Sequence, residues 1–310
     1  MKEKNTMRLL SGVVVAHLTP FGGDGAVDYH VLEEYIHFLA EKGVNGLFVC
    51  GTTAEAQLLT LEERKRVLEA VLAANNGKMT IVAHCGTVNL HDTQKLLAHA
   101  RHSGADGGAV VTPFYYRYSQ EELYAYYALL AEDFPDFPLY LYNIPGLTGN
   151  DMAVSTVTRL QEHFPNIVGL KDSSGNFTTV SGYLLALPRT FRVIVGYDRG
   201  ILPALLLGGA GTVTGPGGVV PEPFVNLWKA FERGDYEEAA SFQKEITTIS
   251  ILLKEGAHLP TLKMGLALRG FGEGTMRFPF KKLSEAQTAE LREDLEKTLE
   301  KFGYHLRVSG

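Results

Sequence analysis

Ile167-Val168-Gly169-Leu170-Lys171-Asp172-Ser173-Ser174 opens on four apolar or glycine residues and then meets a lysine. The first four read as a buried strand. No apolar residue follows Lys171 until Phe177. Lysine is rarely fully buried unless it is paired, and desolvation pushes its pKa down. A partly neutral amine is a nucleophile that forms a Schiff base with a carbonyl. Taken alone, the stretch is better explained by a lysine that ends its strand and turns to water.

The surroundings of this stretch decide its fold. Apolar runs of strand length recur at Gly12–Pro20, Val44–Gly51, Met79–Gly86, Gly107–Pro113 and Pro138–Pro145, then at Ile167–Ser174, Phe191–Gly196 and Ala210–Gly215. Between them the apolar spacing is helical: Asp28–Lys42, Leu61–Ala74, His91–His102, Gln120–Asp133, Met152–His163, Phe177–Leu187, Arg199–Leu207 and Pro223–Arg233. Thr60 with Glu63, and Ser119 with Glu122, fit the capping box, in which a hydroxyl and a carboxylate satisfy free N–H groups. Gly43, Gly77 and Gly104 stand where a helix end wants a left-handed residue. Continuous apolar strands alternating with helices imply a parallel sheet under helices. Eight such units predict an α/β fold of the closed (β/α)8 TIM barrel type. An open doubly wound sheet would carry a Gly-rich turn after its first strand, and Thr19-Pro20-Phe21 is not one. The predicted barrel spans residues 1–233. From 234 to 310 the strand signal stops, and Tyr236–Leu253, Leu259–Leu268 and Ser284–Phe302 predict a C-terminal helical extension.

Composition limits the functions. The 310 residues carry a formal net charge of −6, which argues against a nucleic-acid partner because that needs a basic face. Cys50 and Cys85 both lie in apolar runs and read as small buried hydrophobes in a reducing compartment. Met1 to Arg8 is charged, and Val13 to Leu18 is too short for a signal core or a membrane span. A soluble cytoplasmic protein with no membrane partner is expected.

In such a barrel the active site lies at the C-terminal ends of the strands. Those ends carry Thr52 and Thr53, Tyr115 and Tyr116, Tyr142, Lys171, Gly196 with Tyr197 and Asp198, and Val213 with Thr214. The set suits a keto acid bound as an imine: an amine to attack, a phenol to move protons, and hydroxyls and backbone N–H groups to hold a carboxylate. Each residue also has an ordinary role, with threonines capping turns and a buried phenol satisfied in the core.

Five segments in order, GTTAE (51–55), VTPFYY (111–116), LYNIPGLTG (141–149), GLKDSSG (169–175) and GYD (196–198), resemble the dihydrodipicolinate synthase / N-acetylneuraminate lyase family of Schiff-base aldolases. The resemblance covers essentially the whole chain. It implies that Lys171 forms an imine with pyruvate or another 2-keto acid and that Tyr142 shuttles protons above it. Thr52 and Thr53 would hold the carboxylate. Tyr115 would enter a neighbouring subunit's site and complete a relay with Thr52 and Tyr142. Ser173, Gly196, Asp198 and Val213 would line the substrate. A homo-oligomer, commonly a tetramer, is implied, with no metal and no organic cofactor.

Departures narrow the substrate. Dihydrodipicolinate synthases place an arginine five residues after the shuttle tyrosine, to hold the second substrate's carboxylate. Here that position is Leu147, which cannot make a charge-assisted pair. This disfavours 4-hydroxy-tetrahydrodipicolinate synthase and favours an aldolase of 2-keto-3-deoxy sugar acids, like 2-keto-3-deoxygluconate aldolase or N-acetylneuraminate lyase. A keto-deoxy sugar acid dehydratase uses the same imine. Arg199 stands where the lyases have Glu, so it either favours a distal carboxylate or points to solvent. Ala54 replaces the usual Gly, which means strain if that position needs positive φ. Glu55 reads as structural. Two other classes remain: a metal-dependent barrel hydrolase, for which no closely spaced histidine pair stands at a strand end, and a non-catalytic keto-acid binder. His17 and His84 read as buried, hydrogen-bonded strand residues.

Overall fold

The computed structural model describes residues 8–306, so the charged start before Arg8 lies outside the described residues. All eight apolar runs form parallel strands: β1 (Gly12–Ala16), β2 (Gly46–Val49), β3 (Thr80–His84), β4 (Gly107–Val111), β5 (Leu139–Asn143), β6 (Ile167–Asp172), β7 (Arg192–Val195) and β8 (Gly211–Thr214). They pair in chain order and β8 returns to β1, closing the barrel.

The outer layer holds α1 (Tyr29–Glu41), α2 (Leu61–Asn75), α3 (Leu90–Ser103), α4 (Gln120–Asp133), a single turn α5 (Pro145–Thr148) and α6 (Val154–His163). It continues with α7 (Phe177–Ala186), α8 (Ile201–Leu206) and α9 (Glu222–Glu232). Both expected capping boxes form, at Thr60 with Glu63 and at Ser119 with Glu122. Gly43, Gly77 and Gly104 take left-handed φ of 84°, 74° and 87°.

Strand alternation divides the core in two. Outward residues such as Leu47, Leu141 and Leu170 pack under the helices. Inward residues, including Val14, Phe48, Val82, Tyr140, Tyr142 and Val213, fill the barrel as a second cluster. The register shifts between Leu139 and Tyr140, where Val168 is passed over on β6. Past that irregularity Tyr142 pairs with Lys171. Gly169 is required just below, because a Cβ there would sit 2.7 Å from the Tyr140 ring.

The extension supplies α10 (Tyr236–Leu252), α11 (Leu259–Leu268) and α12 (Glu285–Lys301), as the spacing predicts. It is tied to the barrel mouth by a buried charge. Lys263 Nζ lies 2.8 Å from Glu55 Oε1, donates to the carbonyls of Thr19 and Thr275, and sits 4.0 Å from the centre of the Phe21 ring. Burial pushes the Lys263 amine down to about 8, against the pull of Glu55. Removing one partner of a buried pair strands the other. Lys263→Ala is therefore expected to cost about 3–5 kcal/mol, read as a lower urea midpoint. An unchanged midpoint would show that Glu55 is otherwise solvated.

Candidate active site

Lys171 is 5% exposed and points into the upper end of the barrel. Its Nζ lies 4.0 Å from the centre of the Tyr142 ring and 4.1 Å from that of Phe48. Burial lowers its pKa, and the Tyr142 phenol only partly restores it. Aromatic faces stabilise an ammonium, while burial works toward the neutral amine. The amine is thus buried between aromatic rings and close to a phenol.

That phenol is held from several sides. Phe48 meets the Tyr142 ring edge-on at 5.4 Å and His84 does so at 5.6 Å. Thr52 Oγ1 lies 3.2 Å from the Tyr142 hydroxyl. His84 Nδ1 lies 2.9 Å from the Cys50 carbonyl, so it carries the proton, and Nε2 is left without a partner. Burial, then the nearby Arg64 charge, drive the His84 pKa well below its usual value. The ring stays neutral.

The next residues on the two strands face the helices. Asn143 Nδ2 donates to Asp172 Oδ2 at 2.8 Å and to Asp151 Oδ1 at 2.7 Å. Ser174 donates to Asp172 Oδ1 through both its N–H and its hydroxyl. Asn143 and Asp172 are register partners directly after Tyr142 and Lys171. The amide bridge therefore fixes from behind the spacing of the amine and phenol in front.

Two cavities open at the strand ends. One, of about 290 Å³, lies beside Thr52, His84 and Tyr142 and is walled by Val111, Phe114, Ile144 and Leu147. The other, of about 240 Å³, is polar and includes Ser173, Gly196, Asp198, Arg199 and Ser250. A Cβ at Gly196 would collide with Ser173 Oγ at 2.0 Å, so glycine alone admits that hydroxyl. Asp198 is buried, accepts from Ser250 Oγ at 2.7 Å, and is pushed up to about 6 by desolvation, opposed by the Ser250 and Thr214 hydroxyls.

Lys171, Tyr142 and Thr52 come together, while Thr53 faces Gly215 at the end of β8. Val213 lies inside the barrel, packed with Val14 and Ile194. Tyr115 lines neither cavity of its own chain; it is 83% exposed with φ of 81°, its ring 5.0 Å from that of Tyr116. Arg199 pairs with Glu255 at the rim of the polar cavity, its side chain 41% exposed. One expectation is corrected. Ala54 carries no left-handed strain; that conformation falls on Cys50 and Glu55, each with φ of 57°. Sequence reading assigns no site role to Phe48 or Phe280, and it marks His84 as the buried, hydrogen-bonded strand residue it is but not as a neighbour of Tyr142. Period-two alternation in β2 and β3 would have pointed Phe48 and His84 inward, whereas nothing local signals that Phe280 folds back to the mouth. Among the described residues no group of three His, Cys, Asp or Glu side chains converges as a metal site, and no helix is long and apolar enough to cross a membrane.

A closed (β/α)8 barrel with a sheltered amine and a phenol at its strand ends defines a Schiff-base-forming carbon–carbon lyase. The dihydrodipicolinate synthetase family profile matches residues 9–298. The 4-hydroxy-tetrahydrodipicolinate synthase of Thermosynechococcus vestitus is 36% identical over 280 residues, covering 90% of this chain and 94% of that one. A DapA-like lyase of Halobacterium salinarum is 35% identical, covering 92% and 93%. Among solved structures, YagE of E. coli K12, a family protein in complex with pyruvate, superposes with a TM-score of 0.90 at 29% identity, covering 94% and 99%. The chain belongs to the dihydrodipicolinate synthetase family.

Proposed function

We propose that this protein is a pyruvate-dependent class I aldolase that cleaves or forms a 2-keto-3-deoxy sugar acid. The observation that carries the reading is the Lys171 amine, buried against the Tyr142 and Phe48 rings. In the cleavage direction the neutral amine attacks the 2-keto carbon, and the carbinolamine hydroxyl leaves as water with the Tyr142 proton, giving a protonated imine and a phenolate. The C3–C4 bonding pair then moves into the enamine, the C4 hydroxyl gives its proton to the Tyr142 oxygen, and the aldehyde departs. Protonation of the enamine and hydrolysis release pyruvate and restore Lys171. This chemistry calls for no metal or organic cofactor.

Thr52 and Thr53 are proposed to hold the pyruvate carboxylate. The polar cavity beside Ser173, Gly196 and Asp198 is proposed to take the hydroxylated tail, supported by its side-chain hydroxyls and buried carboxylate. The exposure and left-handed backbone of Tyr115 support its donation to a neighbouring subunit's Thr52–Tyr142 pair, in a homo-oligomer that on the family pattern is a tetramer. A cytoplasmic setting is supported by the two buried free cysteines.

A second reading has its own support, since the Thermosynechococcus relative is named 4-hydroxy-tetrahydrodipicolinate synthase. It needs a cation for the second substrate's carboxylate, and Leu147 stands on the wall where the family's arginine would be. The two readings separate in one assay. Incubated with a panel of 2-keto-3-deoxy sugar acids, the enzyme is expected to release pyruvate from at least one of them. It is expected to condense pyruvate with aspartate semialdehyde at least 100-fold less efficiently. The reverse ranking would transfer the assignment to the synthase.

A further inference from the structure

The proposed function puts the hydroxylated tail in the polar cavity, which leaves the 290 Å³ cavity beside Tyr142 without an occupant. Its walls are Val111, Phe114, Ile144, Leu147, Leu259 and Phe280. The remaining polar side chains around it are largely committed elsewhere. Glu55 faces Lys263 and accepts from the Arg277 N–H. The Thr148 hydroxyl lies within hydrogen-bond distance of the carbonyls of Ile144 and Asn150 and accepts from the Thr112 hydroxyl. The Gln57 amide reaches the Gly86 carbonyl. At its inner end stand the Thr52 and Tyr142 hydroxyls, which meet each other, and His84 Nε2, an acceptor without a partner among the described residues. A polyol placed here would find that one acceptor for several hydroxyls and would bury the others unpaired. An apolar group would lose nothing and remove the cavity wall from water.

We infer that this cavity is a second acceptor subsite, which takes aldehydes bearing an apolar alkyl or aryl group. The inference rests on the pyruvate imine proposed above. The enamine carbon of the Lys171 adduct adds to the aldehyde carbon, forming one C–C bond. The aldehyde oxygen takes a proton from the Tyr142 hydroxyl, and water hydrolyses the imine to free a 4-hydroxy-2-keto acid. The cavity's volume sits at the small end of ligand pockets, about 300 Å³, which suits a single ring or a short chain. Leu147 is 66% exposed and forms the outer wall, so it can be changed without disturbing the core.

The test has two arms on the full-length enzyme. Pyruvate with borohydride first reports the imine, as a mass addition on the peptide carrying Lys171. Pyruvate is then offered with acetaldehyde, propanal, butanal and benzaldehyde, and the 4-hydroxy-2-keto acids are measured by mass spectrometry. One methylene in an apolar pocket changes kcat/KM by about tenfold or more, so kcat/KM is expected to rise at least tenfold along the series. Leu147→Arg is expected to flatten that rise and to improve succinic semialdehyde, whose carboxylate the guanidinium can reach. A flat or falling series with a positive imine trap overturns the apolar subsite and leaves the aldolase standing. No mass addition at Lys171 overturns both.

Discussion

Lys171→Met is expected to lower turnover by roughly 10⁴-fold or more, as removal of a group essential to a covalent route does, and to abolish borohydride-dependent labelling by pyruvate. The same substitution is not expected to weaken the fold. Burial holds the folded-state pKa of Lys171 below its unfolded value. Between the two values the unfolded chain binds the extra proton, so this group's contribution to stability rises with pH. At neutral pH a protonated Lys171 is therefore a burden on the folded state, and an apolar side chain of similar length relieves it. Loss of activity with an unchanged or higher urea midpoint separates chemistry from collapse. The pH dependence offers a second check, because only the neutral amine attacks. The initial rate of trapping should climb with pH and level off below the ordinary lysine value of about 10.4. Retained turnover in Lys171→Met, or labelling on another lysine, would remove this amine from the reaction.

The barrel was readable because its strands are apolar throughout and its helices carry their own start and stop residues. Thr60, Ser119 and Gly104 mark boundaries by local hydrogen bonding alone. Lys171 alone read as an ordinary strand end, and it became legible as a nucleophile only beside Tyr142, Thr52 and the other strand-end residues. What the sequence concealed depends on contacts far apart in the chain. The Phe48 ring over the amine required knowing which face of β2 is inward. The Arg199–Glu255 pair joins residues from the β7 end and the extension, and neither neighbourhood predicts the other. The same holds for Lys263, whose helical spacing placed it in α11 but gave no hint that it is buried against Glu55 across the barrel mouth. Leu147 was legible as the loss of a cation, whereas the apolar chamber around it was not, since Val111, Leu259 and Phe280 come from three distant segments.

Tyr142→Phe removes one oxygen and leaves the ring that carries the amine. The edge contacts with Phe48 and His84 depend on the ring, and the pairing of position 142 with Lys171 depends on the backbone. The approach of pyruvate to the amine is thus preserved, and the imine should still form and be trapped. Proton transfer at the C4 oxygen loses its partner, and a positioned acid–base group contributes about 10²–10⁴-fold. The expected result is a fall in kcat of that size with trapping slowed by less than about tenfold. Thr52→Val should fall between this variant and the wild type, because it leaves the phenol in place and removes only its 3.2 Å partner. Equal losses in trapping and turnover for Tyr142→Phe would assign the phenol's main role to building the imine. Equal rates to wild type in both would leave the proton to another group, with the unpartnered Nε2 of His84 beside the same ring as the first to examine.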